Sequence, residues 1–366
     1  MLLLVANGWA EEGSPSDRGW GRSHHGSHYD EGPRSRPWLM EGIGKTHFPI
    51  TSSHPEVQEW FDQGHTLLHG FWYFEAERAF RWCLKLDPDC AMAYWGLARC
   101  VQGDTTRRDR FFREALKRTD NLTQRERDYL ELWEAKYRVK GEGGEREEAI
   151  RDFVKLFDNL LINYPDDIEA RALYWLEMLQ TTVKPEERDD HPFRFALDSV
   201  LQEVLAADPD HVGALHYRVH NWDGEEGHYA LDTCLHLSDV APRCGHLQHM
   251  PGHVLSSIGL WHEAAIAMDA ATRVEKEYMQ RRMVLPEQNW DYIHNLDYLT
   301  YIVEQLGMYE AAAVNCQQLV NGARPTEFSV LGNLAHWAAV RLLIKYERWD
   351  DILDPDCPCL LYTSPS

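Results

Sequence analysis

From about residue 55 onward, apolar side chains return every three to four positions, in runs separated by short polar breaks. That period matches one face of an α-helix, and no stretch alternates as a half-buried strand would. The breaks are proline turns. Leu84-Lys85-Leu86-Asp87-Pro88-Asp89 closes one helix and Leu205-Ala206-Ala207-Asp208-Pro209-Asp210 another. Proline cannot continue a helix, and aspartate is expected to cap the next. Further helices are predicted over about 123–139, 146–163, 168–181 and 193–206. The expected fold class is all-α, built from helical hairpins.

The hairpins repeat. With Pro88 at position 32 of a 34-residue unit, Trp60 falls at 4, Gly64 at 8, Ala76 at 20 and Phe80 at 24. Gly64 would let two helices approach, Ala76 would fit their crossing, and Trp60 and Phe80 would fill the space between. Ala230 and Ala264 lie 34 apart, and Gly252, Ala264 and Ala271 fall at 8, 20 and 27 of one unit. Ala311 is expected to anchor a further crossing after an insertion at 284–289.

These positions resemble the tetratricopeptide repeat (TPR) family over roughly residues 55–350. The stretches FDQGHTLLHGFWYFEAERAF, DPDCAMAYWGLA and GHLQHMPGHVLSSIGLWHEAA look like a mostly uncharacterised, often exported bacterial subgroup with a GHLxHMPxH-type motif. The resemblance implies an α-solenoid coiled as a right-handed superhelix, with the first helix of each hairpin lining a concave groove. A peptide, protein segment or small ligand is the partner that such a groove implies. His65, His69, Tyr94, Trp95, Trp175 and Tyr217 are expected to face it.

The histidines concentrate on these first helices. His65/His69, His216/His220 and His249/His253 each have i,i+4 spacing, which puts both imidazoles on one helix face. His216 to His249 and His220 to His253 are both 33 residues, close to one repeat. These four, assisted by His246 and His294, are the expected metal ligands, and zinc or copper suits imidazole. Packing and helix capping account for the same histidines equally well. A hydrolytic metal would need a nearby base, for which Glu177, Asp223 and Glu263 are candidates. Three readings stay open: a binding scaffold carrying a histidine-rich metal site, a metal-dependent enzyme using that cluster, and a purely architectural role inside an assembly. The HExxH motif is absent, as are a phosphate-binding loop and a GxSxG elbow.

Composition narrows the partners. The formal net charge is -22, so a phosphate backbone or an anionic membrane would be repelled. No run approaches the ~20 apolar residues of a membrane span. An acidic groove would favour cationic ligands. The eight cysteines form no CxxC pair; Cys83, Cys100, Cys234 and Cys316 are expected in the core, and a Cys234–Cys244 disulfide is left open. Residues 1–44 lack helical period and are expected to be disordered or loosely draped. Within them, the run Leu2 to Ala6 fits the tail of a signal peptide or chance, so export and cytoplasmic residence are equally open. Residues 45–355 are the expected solenoid. Residues 356–366, ending LLYTSPS, resemble adapter read-through and are not expected to belong to the fold.

Overall fold

The computed structural model describes residues 31–140, 143–183, 193–224, 226–322 and 330–353, with the backbone alone at 330–334 and 336. The expectations for the first thirty residues and for the tail 356–366 lie outside these residues. Two compact units divide the chain, Met1–Asn221 and Trp222–Ser366. The described residues are all-α, and the helices follow one another as the antiparallel hairpins of a helical-repeat solenoid.

The first unit contains α1 (Val57–His69), α2 (Tyr73–Leu86), α3 (Ala91–Cys100), α4 (Thr105–Leu116), α5 (Gln124–Arg138), α6 (Gly144–Asn163), α7 (Ile168–Thr182), α8 (Arg194–Ala207) and α9 (Val212–Asn221). The second contains α10 (Leu231–Val240), α11 (Gly245–Ser257), α12 (Trp261–Arg282), α13 (Trp290–Gln305), α14 (Tyr309–Gly322), α15 (Val330–Lys345) and α16 (Trp349–Leu353). Each predicted helix between 123 and 206 is present to within two residues.

The repeat residues do the packing that their spacing suggests. A methyl group on Gly64 would lie 2.8 Å from the Phe80 ring, and one on Gly96 would lie 2.6 Å from it. Phe80 is therefore wedged between two glycines on α1 and α3, and only a bare Cα leaves it room. Gly252 repeats the arrangement in the second unit, where a methyl would come 2.6 Å from Met268. Ala76, Ala230, Ala264 and Ala271 are fully buried. The crossing expected at Ala311 belongs to Ala312, which is fully buried while Ala311 is only partly so.

Two local expectations need correction. Asp87 and Asp208 do not cap the following helices; each accepts a hydrogen bond from the backbone two residues on, turning the chain within the DPD triplet. The residues that open the next helices are Cys90 and His211. Asp104, Thr123, Asp167, His211 and Asn289 are side chains that do cap helices, Thr123 within a full capping box with Glu126. Cys83, Cys90, Cys100, Cys234, Cys244 and Cys316 are all buried free thiols, so Cys234 and Cys244 are not joined.

Among the described residues of the first unit, α1 packs against α9, out of chain order. An extended strap before α1 supports the closure. Phe48 is fully buried, its backbone N–H donates to Asp62, and Lys45 makes a backbone bridge with His211. The first unit thus brings its opening helix back to its last one.

Candidate functional sites

In the first unit, the closure of α1 onto α9 gathers four chemically active side chains. His65 and His69 sit one turn apart on α1, Glu169 lies in the first turn of α7, and His211 opens α9. The three histidines are fully buried and Glu169 is 2% exposed. His65 Nε2 and His69 Nε2 each lie 2.9 Å from Glu169 Oε2, and His211 Nε2 lies 3.3 Å from Oε1. Gly213 makes the space, since a Cβ there would meet the His69 ring at 2.3 Å.

The partners on the far side of each ring decide the protonation. His65 Nδ1 faces the Arg99 guanidinium at 3.5 Å, and His211 Nδ1 accepts the Ala214 backbone N–H at 3.1 Å. Both partners only donate, so both Nδ1 atoms carry lone pairs and both Nε2 atoms carry the protons. His69 Nδ1 meets the Tyr217 hydroxyl at 2.8 Å, and His69 Nε2 lies 3.1 Å from His65 Nε2 as well as 2.9 Å from the carboxylate. Three imidazole Nε2 atoms therefore converge on one carboxylate, those of His65 and His211 as N–H groups.

The electrostatics agree. Burial lowers His65 and brings His69 down to about 3, so both rings are neutral. Burial alone would raise Glu169, but its contacts with His211 and His65 outweigh burial and hold the carboxyl well below its usual range. Burial draws His211 down, but Glu169, with Asp208 behind it, raises it by more in sum. The ligand atoms of His65, His69 and Glu169 lie within 4.8 Å of one another and are joined by hydrogen bonds through Glu169 Oε2, while Glu169 Oε1 and His211 Nε2 are in ion-pair contact without a hydrogen bond. The imidazole lone pairs of His65 and His211 point away from the centre, where a metal would need them.

The second unit arranges the same i,i+4 pair differently. His249 and His253 lie on α11, and His294 on α13 packs across from them. All three are buried, with one ligand atom from each within 4.8 Å of the others. The ring centroids of His249 and His253 are 5.0 Å apart, as are those of His249 and His294; His253 and His294 stack at 5.6 Å. Trp290 stacks on His294 from one turn earlier. Pro251 and Gly252 stand between the paired histidines: the first lacks a backbone donor, and the second admits Met268.

Here the far-side partner has the opposite polarity. His249 Nδ1 donates to Asn295 Oδ1 at 2.7 Å, which leaves Nε2 with its lone pair. Burial brings His253 and His294 down to about 3 and His249 well below its ordinary value. Carboxylates stand at the edge. Asp223 Oδ2 is 3.9 Å from His253 Nδ1, and Asp291 Oδ1 is 3.3 Å from Nδ1 of the neighbouring His246. The centre is three neutral imidazoles beside a hydrogen-bonded amide.

The other expected site residues fall as follows. His216 and His220 lie on one face of α9 in the first unit, 4.7 Å apart and against Phe71, and His216 Nδ1 donates to the His69 carbonyl at 2.6 Å. They are thus in a different unit from His249 and His253. His65, His69, Tyr94, Trp95, Trp175 and Tyr217, expected to face a groove, are buried at 3% exposure or less. The aromatic rings among them fill interhelical space, and the two imidazoles join the Glu169 network. Glu177 is buried and paired with Lys136, and Glu263 is exposed at the start of α12. Sequence reasoning missed Glu169, His211 and Asn295.

No protein-family model matches the chain, and no curated protein matches it either. Solved structures with similar helical arrangements include TTC0263, a thermophilic TPR protein of Thermus thermophilus, at 17% identity and TM-score 0.35, covering 55% of this chain and 91% of that one. An assembly chaperone of RpL4 (Acl4, residues 1–338) is similar at 16% identity and TM-score 0.32, covering 80% and 99%. The Cut9–Hcn1 hetero-tetramer of APC/C is similar at 12% identity and TM-score 0.21, covering 81% and 70%.

Proposed function

We propose that this chain is a helical-repeat binding scaffold whose second unit holds a transition-metal ion, zinc or copper, through His249, His253 and His294. The hydrogen bond from His249 Nδ1 to Asn295 carries the reading, because it fixes the tautomer that presents Nε2 as a ligand. Neutral imidazoles suit zinc and copper, and the GHLQHMPGH motif acquires a purpose: two of its histidines become ligands. Zinc–nitrogen bonds of ~2.0–2.1 Å require the three nitrogens to draw together modestly. Three protein ligands leave a fourth position for water or for a donor side chain of a bound peptide. A scaffold that binds a protein segment through such a bridge needs no catalytic base. His246, held beside Asp291, is the candidate fourth ligand from the protein itself.

The test is metal analysis of purified full-length protein after exposure to zinc and dialysis. One tightly held equivalent is expected, falling to background in the variant His249→Ala plus His253→Ala. Absence of bound metal in the parent protein, or its retention in a folded double variant, would sink the reading.

Asp223 favours a second reading, a metal-dependent hydrolase, because its carboxylate is near enough to His253 to receive a proton from a metal-bound water. Cobalt-substituted protein separates the two. An optical spectrum that titrates near neutral pH, and shifts in Asp223→Asn, marks an activated water; a pH-independent spectrum leaves the scaffold alone.

A further inference from the structure

The chain as a whole is acidic, yet the first unit contains a cleft of about 500 Å³ whose wall is basic. Arg99, Arg108, Lys136, Lys140 and Arg146 line it, with Glu177 as the acidic residue among the lining. The carboxylates that face these cations are few. Glu177 pairs with Lys136, and Asp109 is shared between Arg108 at 2.6 Å and Lys140 at 3.6 Å. Among the described residues that line the cleft or pair with its lining, five cations stand against two carboxylates.

Two of the cations have no carboxylate partner among the described residues. Arg146 donates only to the Thr181 carbonyl, at 3.3 Å. Arg99 is half-buried, with its guanidinium 4.7 Å from the Trp95 ring and 5.2 Å from the Trp133 ring. Stacking on aromatic faces holds a guanidinium in a fixed orientation without neutralising it. A fixed, uncompensated arginine beside Lys136 in a concave site is suited to a carboxylate or phosphate, which it can grip with two parallel N–H bonds. The cleft volume falls within the range of ~300–1,000 Å³ typical of small-molecule sites.

We propose that this cleft binds a small organic or inorganic anion carrying two or more charges, a polycarboxylate or a phosphate compound, gripped by Arg99, Lys136 and Arg146. This reverses the expectation that an acidic repeat protein would select cationic ligands. The surface as a whole is acidic; this cleft is the local exception, and long-range repulsion would slow entry of a ligand more than it would weaken a seated one.

Calorimetric titration of the full chain with succinate and with pyrophosphate tests the proposal, at low and at physiological salt. Saturable one-to-one binding of at least one is expected, weakened about tenfold or more in Arg146→Gln. That residue lies at the rim, so its replacement spares the core. Arg99→Gln is expected to abolish binding, and Lys117→Gln, at an exposed position just past the end of α4, to leave it unchanged. Preference for succinate or pyrophosphate identifies the carboxylate or the phosphate class. No binding of either anion, or equal binding in Arg146→Gln with its helical spectrum intact, would overturn the proposal. The metal site plays no part in this readout, so the two proposals fail separately.

Discussion

The two units begin from the same device and reach opposite chemistry. Each places an H-x-x-x-H pair on the first helix of a hairpin, buries it, and brings a third polar group from a neighbouring first helix. In the first unit the third group is Glu169, and donor groups stand behind His65 and His211, so their Nε2 atoms carry protons toward the carboxylate. In the second the third group is His294, and the acceptor Asn295 stands behind His249, so a lone pair is left inward. The ligand count alone does not distinguish them. The polarity of the groups one layer out does.

The largest test of this difference is removal of the carboxylate. Glu169→Ala removes the carboxylate that three buried imidazoles share, and breaking such a network costs about 3–5 kcal/mol. Denaturant unfolding of the metal-free protein should show that loss, while the second unit's metal stoichiometry stays unchanged. Removing the acceptor in the second unit should do the reverse. Asn295→Ala is expected to lower metal affinity by about 10–100-fold, measured by competition with a chelator, because His249 loses its imposed tautomer. Unaltered affinity would mean that ring packing alone orients His249.

A third test acts on shape. Gly213→Ala would drive a methyl into the His69 ring, and overpacking of this kind costs about 1–3 kcal/mol. A fourth test is the pH dependence of His69, whose buried ring is brought down to about 3 from an ordinary 6.5. The unfolded chain takes up this proton below about pH 6.5, whereas the fold refuses it until about 3. The contribution is therefore lost as pH falls between these values, by about 1.4 kcal/mol per pH unit for one proton. Tryptophan fluorescence during acid unfolding should show a shallower dependence in His69→Gln, where the proton has nowhere to bind.

Much of the fold is legible along the chain because it rests on local period: Gly64, Ala76, Phe80 and Gly252 occupy the packing positions that a 34-residue spacing assigns them. The candidate sites were only half legible. Histidine pairs announce themselves by i,i+4 spacing, but their partners do not. Glu169 follows Asp166-Asp167-Ile168 and reads as one more acid at a helix start. His211 holds the position after a DPD triplet that Cys90 holds earlier, which marks a helix opening and says nothing of the carboxylate across the unit. Asn295 sits next to a singled-out histidine, and its role depends on a rotation that no spacing records. The misplaced groove aromatics have a similar cause. Period fixes which helix face a residue occupies, whereas closure of the unit decides whether that face is covered.

That closure also bears on how the first unit must assemble. In an open array of repeats, each hairpin leans only on its neighbours and a shortened array can still fold. Here the hydroxyl of Tyr217 completes a bond to His69 across a sequence separation of 148 residues. Contacts so distant in sequence slow folding, because the intervening chain must be ordered before they form. A nascent chain emerging from the ribosome would carry α1 with its imidazoles exposed until α9 had been made. The unit should consequently ripen in one late, concerted step, and chains stopped before Val212 should be recognised by proteases rather than persist as shorter solenoids.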